Sequence, residues 1–289
     1  MTERPMPHAP RPRRADRDLD LLARPELRPV RLLLEYLKPE LGLRDRGVRH
    51  TIVVFGSTRL LEPDVARERL EAAEREAARP GAEAEAAAAL RRARNALEMS
   101  RYYAIGRELG ALVGTCGEGP GDHRVVIATG GGPGAMEAAN RGAFEVGGAS
   151  VGLNVALPRE QQPNPYLTPD LCFEFRYFAL RKLHFMLRAR ALVALPGGYG
   201  TLDELFETLC LIQTGKREPL PVVLVGEAFW RSAIDFAFLI ERGVIDAGDL
   251  ELFRFAETAR ETWDAILEWY ARRGLSIFDD SPPDAPERE

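Results

Sequence analysis

Val125-Val-Ile-Ala-Thr129-Gly130-Gly131-Gly132-Pro133-Gly134-Ala135-Met136 and Ala191-Leu-Val-Ala-Leu195-Pro196-Gly197-Gly198-Tyr199-Gly200-Thr201-Leu202-Asp203-Glu204 share one pattern. A short apolar run stops at a cluster of glycines, and a helical pattern starts at once. Runs of this length and β-branched content read as strands buried on both faces. Further runs at 51–55, 150–157, 171–175, 221–225 and 252–255 alternate with helical patterns at 134–146, 178–188, 201–214, 228–241 and 262–272. That alternation predicts an α/β fold: a doubly wound, mainly parallel sheet with helices on both faces, Rossmann-like. Ligands of such sheets sit beyond the carboxyl ends of the strands, where both glycine clusters fall.

The rest of the chain hangs on this frame. The 289 residues suffice for roughly one or two domains, and 45% of them are hydrophobic. Residues 1–28 read as a disordered Arg/Pro-rich arm and 276–289 as a disordered acidic, Pro-rich tail. Between them, 29–275 reads as a single α/β domain that opens with an amphipathic helix over 29–43. Leu32, Leu33, Tyr36 and Leu37 fall on one side of that helix. An inserted helical hairpin is expected at about 62–98, broken at Pro80-Gly81. Its apolar content is mostly alanine, so it should pack lightly.

Composition excludes several functions. A net charge of −5 argues against a general nucleic-acid binder. No run approaches the roughly 18 apolar residues of a membrane span, and the Arg/Pro-rich N-terminal segment lacks the apolar h-region of a secretory signal. Cys116, Cys172 and Cys210 form no CxxC pair, and the four histidines are scattered. Buried reduced thiols, a cytoplasmic location, no metal and no organic cofactor are therefore expected.

The first glycine cluster allows a tight turn with positive φ, and Pro133 suits a first helical turn. The helix that follows presents free N–H groups and its positive dipole end, so Gly131, Gly132 and Gly134 are candidate phosphate contacts. A tight strand-to-helix turn without ligand is the plain alternative. In the second cluster Gly197, Gly198, Gly200 and Thr201 are the corresponding candidates. Thr201 reads as an N-cap with Glu204 three residues on, which is a capping box. Glu204 is thus either a cap or a carboxylate poised over a bound sugar phosphate. On the preceding helix Arg181 and Lys182 adjoin a Leu180, Leu183, Leu187 stripe spaced for core packing. They are either a solvated basic face or anion ligands. The polar, proline-studded segment 158–169 reads as a lid or a pocket wall.

Assembled, these residues resemble the LOG (Lonely Guy) family of cytokinin riboside 5′-monophosphate phosphoribohydrolases. Its Pro-Gly-Gly-x-Gly-Thr-x-x-Glu pattern is met by Pro196 to Glu204. Its Arg-Lys pair is met by Arg181-Lys182, and its glycine-rich turn by Gly130 to Gly134 followed by Met136-Glu137. The likeness covers about residues 51–272, and the arm and the hairpin depart from the short members. The resemblance implies hydrolysis of the N-glycosidic bond of an AMP-like purine nucleoside 5′-monophosphate, with Glu204 and Arg181 catalytic. It also implies Lys182 and the two turns as substrate ligands, and a homo-oligomer. Such sequences are often labelled lysine decarboxylases, but nothing here marks a lysine for pyridoxal phosphate. A non-catalytic nucleotide or molybdenum-cofactor carrier with a similar turn, and a scaffold using the hairpin, are the competing readings.

Overall fold

A computed structural model describes residues 13–79, 84–156 and 162–279. Seven strands form one sheet: β1 (His50–Phe55), β2 (Val125–Thr129), β3 (Ser150–Val155), β4 (Cys172–Phe175), β5 (Ala189–Ala194), β6 (Val222–Val225) and β7 (Arg254–Ala256). Their order is β4-β3-β2-β1-β5-β6-β7, and every neighbouring pair is parallel. The chain runs outward from β1 through β2 to β4, then returns to place β5 on the other side of β1. The switch point of the sheet therefore lies between β1 and β5. The two glycine clusters leave β2 and β5, the strands on either side of β1.

Eleven helices accompany the sheet among the described residues: α1 (Leu19–Ala23), α2 (Arg28–Asp45), α3 (Pro63–Ala77), α4 (Ala84–Met99), α5 (Arg101–Gly114), α6 (Ala135–Glu145), α7 (Phe178–Leu187), α8 (Tyr199–Gln213), α9 (Glu227–Ala233), α10 (Phe236–Glu241) and α11 (Ala259–Ala271). The strand period of two sorts the core into two halves. Val53, Phe55, Val126, Ala128, Leu192 and Ala194 pack with Leu43, Phe185, Leu205 and Trp230. Their sequence neighbours Ile52, Val54, Val125, Ile127, Ala191 and Val193 pack with Tyr102, Leu109, Ala139 and Trp263. Burial of both faces explains why the strands read as continuous apolar runs rather than alternating ones.

The contact between α5 and α6 is set by absent side chains. Gly106, Gly110 and Gly114 recur every fourth residue, which puts them on one side of α5. A Cβ at Gly110 would run into the Ala139 carbonyl, and one at Gly142 into the Arg107 carbonyl. The two backbones touch directly, and this contact seats the helix that starts at the first glycine turn.

Several expectations are revised. The second half of the arm forms helical turns, at Ala15–Arg17, Leu19–Ala23 and Pro25–Leu27, in place of disorder; residues 1–12 lie outside the described residues. At the other end Ile277 is buried in the core and Phe278 packs against it, so the folded part runs past 275. Residues 280–289 lie outside the described residues. The α3–α4 hairpin is present and packs lightly: Ala66 is the one buried residue of α3, and α4 has none. On α7, Leu183 and Leu187 are exposed, and the buried side carries His184, Phe185 and Met186. Of the four apolar residues on one side of α2, Leu33 and Leu37 face outward. The three cysteines are free; Cys210 is exposed and the other two are half-buried.

Candidate functional site

The first glycine turn is a closed, internally braced structure. Gly131 and Gly134 have φ of +72° and +70°, where a side chain would be strained, and Gly134 caps α6. A Cβ at Gly131 would strike Asn154 Oδ1, and one at Gly134 the Ser57 carbonyl. Two asparagines hold the turn. Thr129 Oγ1 donates to Asn140 Oδ1 at 2.7 Å and accepts from Gly131 N at 3.0 Å. Asn164 Nδ2 donates to the carbonyls of Gly131 (3.2 Å) and Gly132 (3.0 Å) and to Asn140 Oδ1 (3.0 Å). Asn164 comes from segment 158–169, whose described part is thereby a wall of the turn; 157–161 lie outside the described residues. The Gly131 amide is already engaged, so a phosphate donor from this turn must be sought at Gly132 or Gly134.

The second turn is open. Gly198 and Gly200 are exposed with nothing near a would-be Cβ, and Tyr199 is 93% exposed. α8 starts at Tyr199 with Gly198 as its N-cap, and no side chain caps it. The capping-box expectation is therefore corrected: Thr201 and Glu204 lie inside the helix. The backbone N–H groups of Thr201 and Leu202 both donate to Gly198 O at 3.0 Å, which starts the helix two residues early. The Thr201 side chain lies against Gly197, where a Cβ would collide with it.

Between the two turns sits the segment after β1. Ser57 N donates to Pro196 O, and Ser57 O accepts from Ala135 N, each at 3.0 Å. One residue thus ties both glycine turns together across the switch point.

Glu204 is on the inward side of α8 and 3% exposed, and its Oε2 has no hydrogen-bond partner. Burial pushes its carboxyl up to about 7, against the pull of Lys182 and Arg181. Arg181 donates from Nε to Leu153 O at 2.6 Å and lies 5.1 Å from the Phe185 ring centroid. Its guanidinium reaches Gly130, where a Cβ would strike it. Burial lowers its pKa while Glu204 holds it up. The structure thus brings together Glu204, Arg181 and the first turn. Lys182 points elsewhere: Nζ bridges Asp203 Oδ2 and Glu207 Oε2, each at 3.0 Å. It clamps α7 to α8, so the expected anion ligand is committed to two acids.

Sequence reasoning passed over Ser57, Asn140, Asn154 and Asn164. Polar residues at or just past strand carboxyl ends, here Ser57 and Asn154, are the signal that could have found two of them. Among the described residues no group of three or more His, Cys, Asp or Glu is placed to hold a metal ion. No helix among them is long and apolar enough to cross a membrane.

Residues 136–266 match the family model described as "Possible lysine decarboxylase". A cytokinin riboside 5′-monophosphate phosphoribohydrolase of Arabidopsis thaliana is 31% identical over 117 residues, covering 39% of this chain and 54% of that protein. Over this stretch the chain is similar to LOG proteins. A second LOG protein, from Oryza sativa subsp. japonica and named a probable enzyme of the same activity, is 32% identical over 90 residues, 31% of this chain and 43% of its own. The matches span about half the length of these LOG relatives. Among solved structures, the Moco carrier protein of Chlamydomonas reinhardtii aligns at 21% identity and a TM-score of 0.44, over 78% of this chain and 99% of that one. The molybdenum cofactor binding protein of Rippkaea orientalis aligns at 19% and 0.41, over 58% and 87%. The family-model match, residues 136–266, contains Arg181, the second glycine turn and Glu204.

Proposed function

We propose that the protein hydrolyses the N-glycosidic bond of a purine nucleoside 5′-monophosphate, releasing the base and ribose 5-phosphate. The observation that carries this reading is Glu204, a buried carboxylate with an unpartnered oxygen and a raised pKa, one helical turn below an open helix start. Unpartnered buried acids are costly and concentrate at working sites. The open amides of the α8 N-terminus hold the 5′-phosphate, with the dipole assisting. The C1′–N bond breaks with its electron pair leaving on the base nitrogen, which then takes up a proton. Positive charge develops on the ribose ring and a water oxygen bonds to C1′. Ionised Glu204 faces that charge and accepts the proton of the attacking water. Arg181 steadies the electron-rich departing base.

Incubation with AMP should yield adenine and ribose 5-phosphate in equal amounts, while adenosine, lacking the phosphate anchor, should be turned over far more slowly. Stoichiometric AMP binding without adenine release would favour a carrier instead.

The chain self-associates on this reading. Val30, Leu33, Leu34, Leu37 and Leu41 recur along one stripe of α2 and are 42%, 57%, 52%, 38% and 43% exposed. A stripe of this size invites a second copy. Light scattering on wild type should give at least a dimer, and the double change Leu34→Glu with Leu37→Glu should give a monomer. A wild-type monomer would contradict the self-association.

A further inference from the structure

The α3–α4 hairpin stands off the body and leaves a cavity of about 630 Å³ beside the carboxyl end of β1. Arg59, Arg69 and Arg92 line it, and no carboxylate does. The wall between them is apolar, built from Leu60, Leu61, Met99 and alanines of both hairpin helices. Other arginines of α3 and its end are paired: Arg67 with Asp64, Arg75 with Glu71 and Arg79 with Glu76. Among the described residues, the three cavity arginines have no acidic partner. Three uncompensated positive charges thus converge on one concave, partly apolar space in a chain of net charge −5.

Like charges repel, so such a cluster gains when an anion of high charge enters. Arginine forks fit phosphate oxygens in pairs, and an apolar wall fits a base and a sugar face. We propose that this cavity binds a nucleoside di- or triphosphate, with its phosphates on Arg59, Arg69 and Arg92 and its nucleoside against Leu60, Leu61 and Met99. The site is separate from the two glycine turns: neither Glu204 nor Arg181 lines it. Ser57 forms part of its floor, and Ser57 also ties the two turns together. A ligand here leans on the segment that joins them.

Calorimetric titration of the full chain with ATP, pyrophosphate and adenosine tests the proposal. ATP should bind most tightly and pyrophosphate more weakly, with both weakened by added salt, and adenosine should not bind the cavity. The exposed pair Arg69→Ala with Arg92→Ala should weaken ATP binding by about tenfold or more, since charge-assisted hydrogen bonds are lost. The same variant should bind AMP as wild type does. Glu204→Gln should bind ATP unchanged. ATP binding that is indifferent to loss of both arginines, or adenosine binding as tight as that of ATP, would overturn the assignment. Pyrophosphate matching ATP in affinity would overturn its nucleoside part. The readout is binding, so it stands whether or not AMP is hydrolysed.

Discussion

Glu204→Gln should abolish AMP turnover and, at the same time, stabilise the fold at alkaline pH. The amide keeps the shape of the side chain and removes its charge. Loss of a charge that stabilises a transition state, or of a general base, lowers kcat by on the order of 10³-fold. AMP affinity should change little, because the phosphate is held by backbone amides of the α8 start. The stability gain follows from linkage. Burial lifts the carboxyl of Glu204 from 4.5 to about 7 in the folded chain, with Lys182 and Arg181 pulling against it. The folded state then holds a proton that the unfolded chain has released. The contribution of Glu204 is fully favourable below about pH 4.5 and is lost as the pH rises through about 7. At about 1.4 kcal/mol per pH unit, the loss is on the order of 3 kcal/mol. The Gln variant does not ionise and escapes it. Urea unfolding should give similar stabilities for the two proteins near pH 4.5 and a more stable variant at pH 8.5. A functional carboxylate that weakens its own fold is what a working site looks like; a structural one would show the reverse.

The second large effect concerns the glycines between α5 and α6. Gly110→Ala and Gly142→Ala should each destabilise the chain by on the order of 3 kcal/mol, near the upper end for overpacking. An alanine at either position would gain about 1 kcal/mol of helix propensity. Here the collision wins, because each new methyl meets backbone that cannot rotate away, Ala139 O in one case and Arg107 O in the other. The midpoint of thermal unfolding should drop by roughly 5 °C for a chain of this size. Gly248→Ala, with nothing near its would-be Cβ, should stay within about 0.5 kcal/mol of wild type. Since α6 begins at the first glycine turn, AMP affinity should fall in the two destabilised variants, as a binding titration below their melting point would show.

The strands and glycine turns were legible because their signals are local. Buried parallel strands must be apolar throughout, and positive φ at Gly131 and Gly134 demands glycine at those positions. The start of α8 misled for a local reason too. Thr201 is a good N-cap residue, yet its side chain seats on Gly197 while Gly198 O collects two amides. The sequence pattern could not show what depends on distant segments. Lys182 is taken by Asp203 and Glu207 across a helix pair. Asn164 reaches the first turn from a proline-rich loop 33 residues downstream. Leu183 and Leu187 keep core spacing yet face outward, because α7 turns His184, Phe185 and Met186 to the sheet. The raised pKa of Glu204 is likewise a property of its surroundings, invisible in the motif that contains it.

The dependence of kcat/KM for AMP on pH tests the role of Glu204 most directly. A reacting group that must be ionised and that titrates at about 7 predicts activity rising with pH, half-maximal near 7 and level above. A profile flat from about pH 5 to 9, or one already at its plateau near the ordinary glutamate value of about 4.3, would contradict the account.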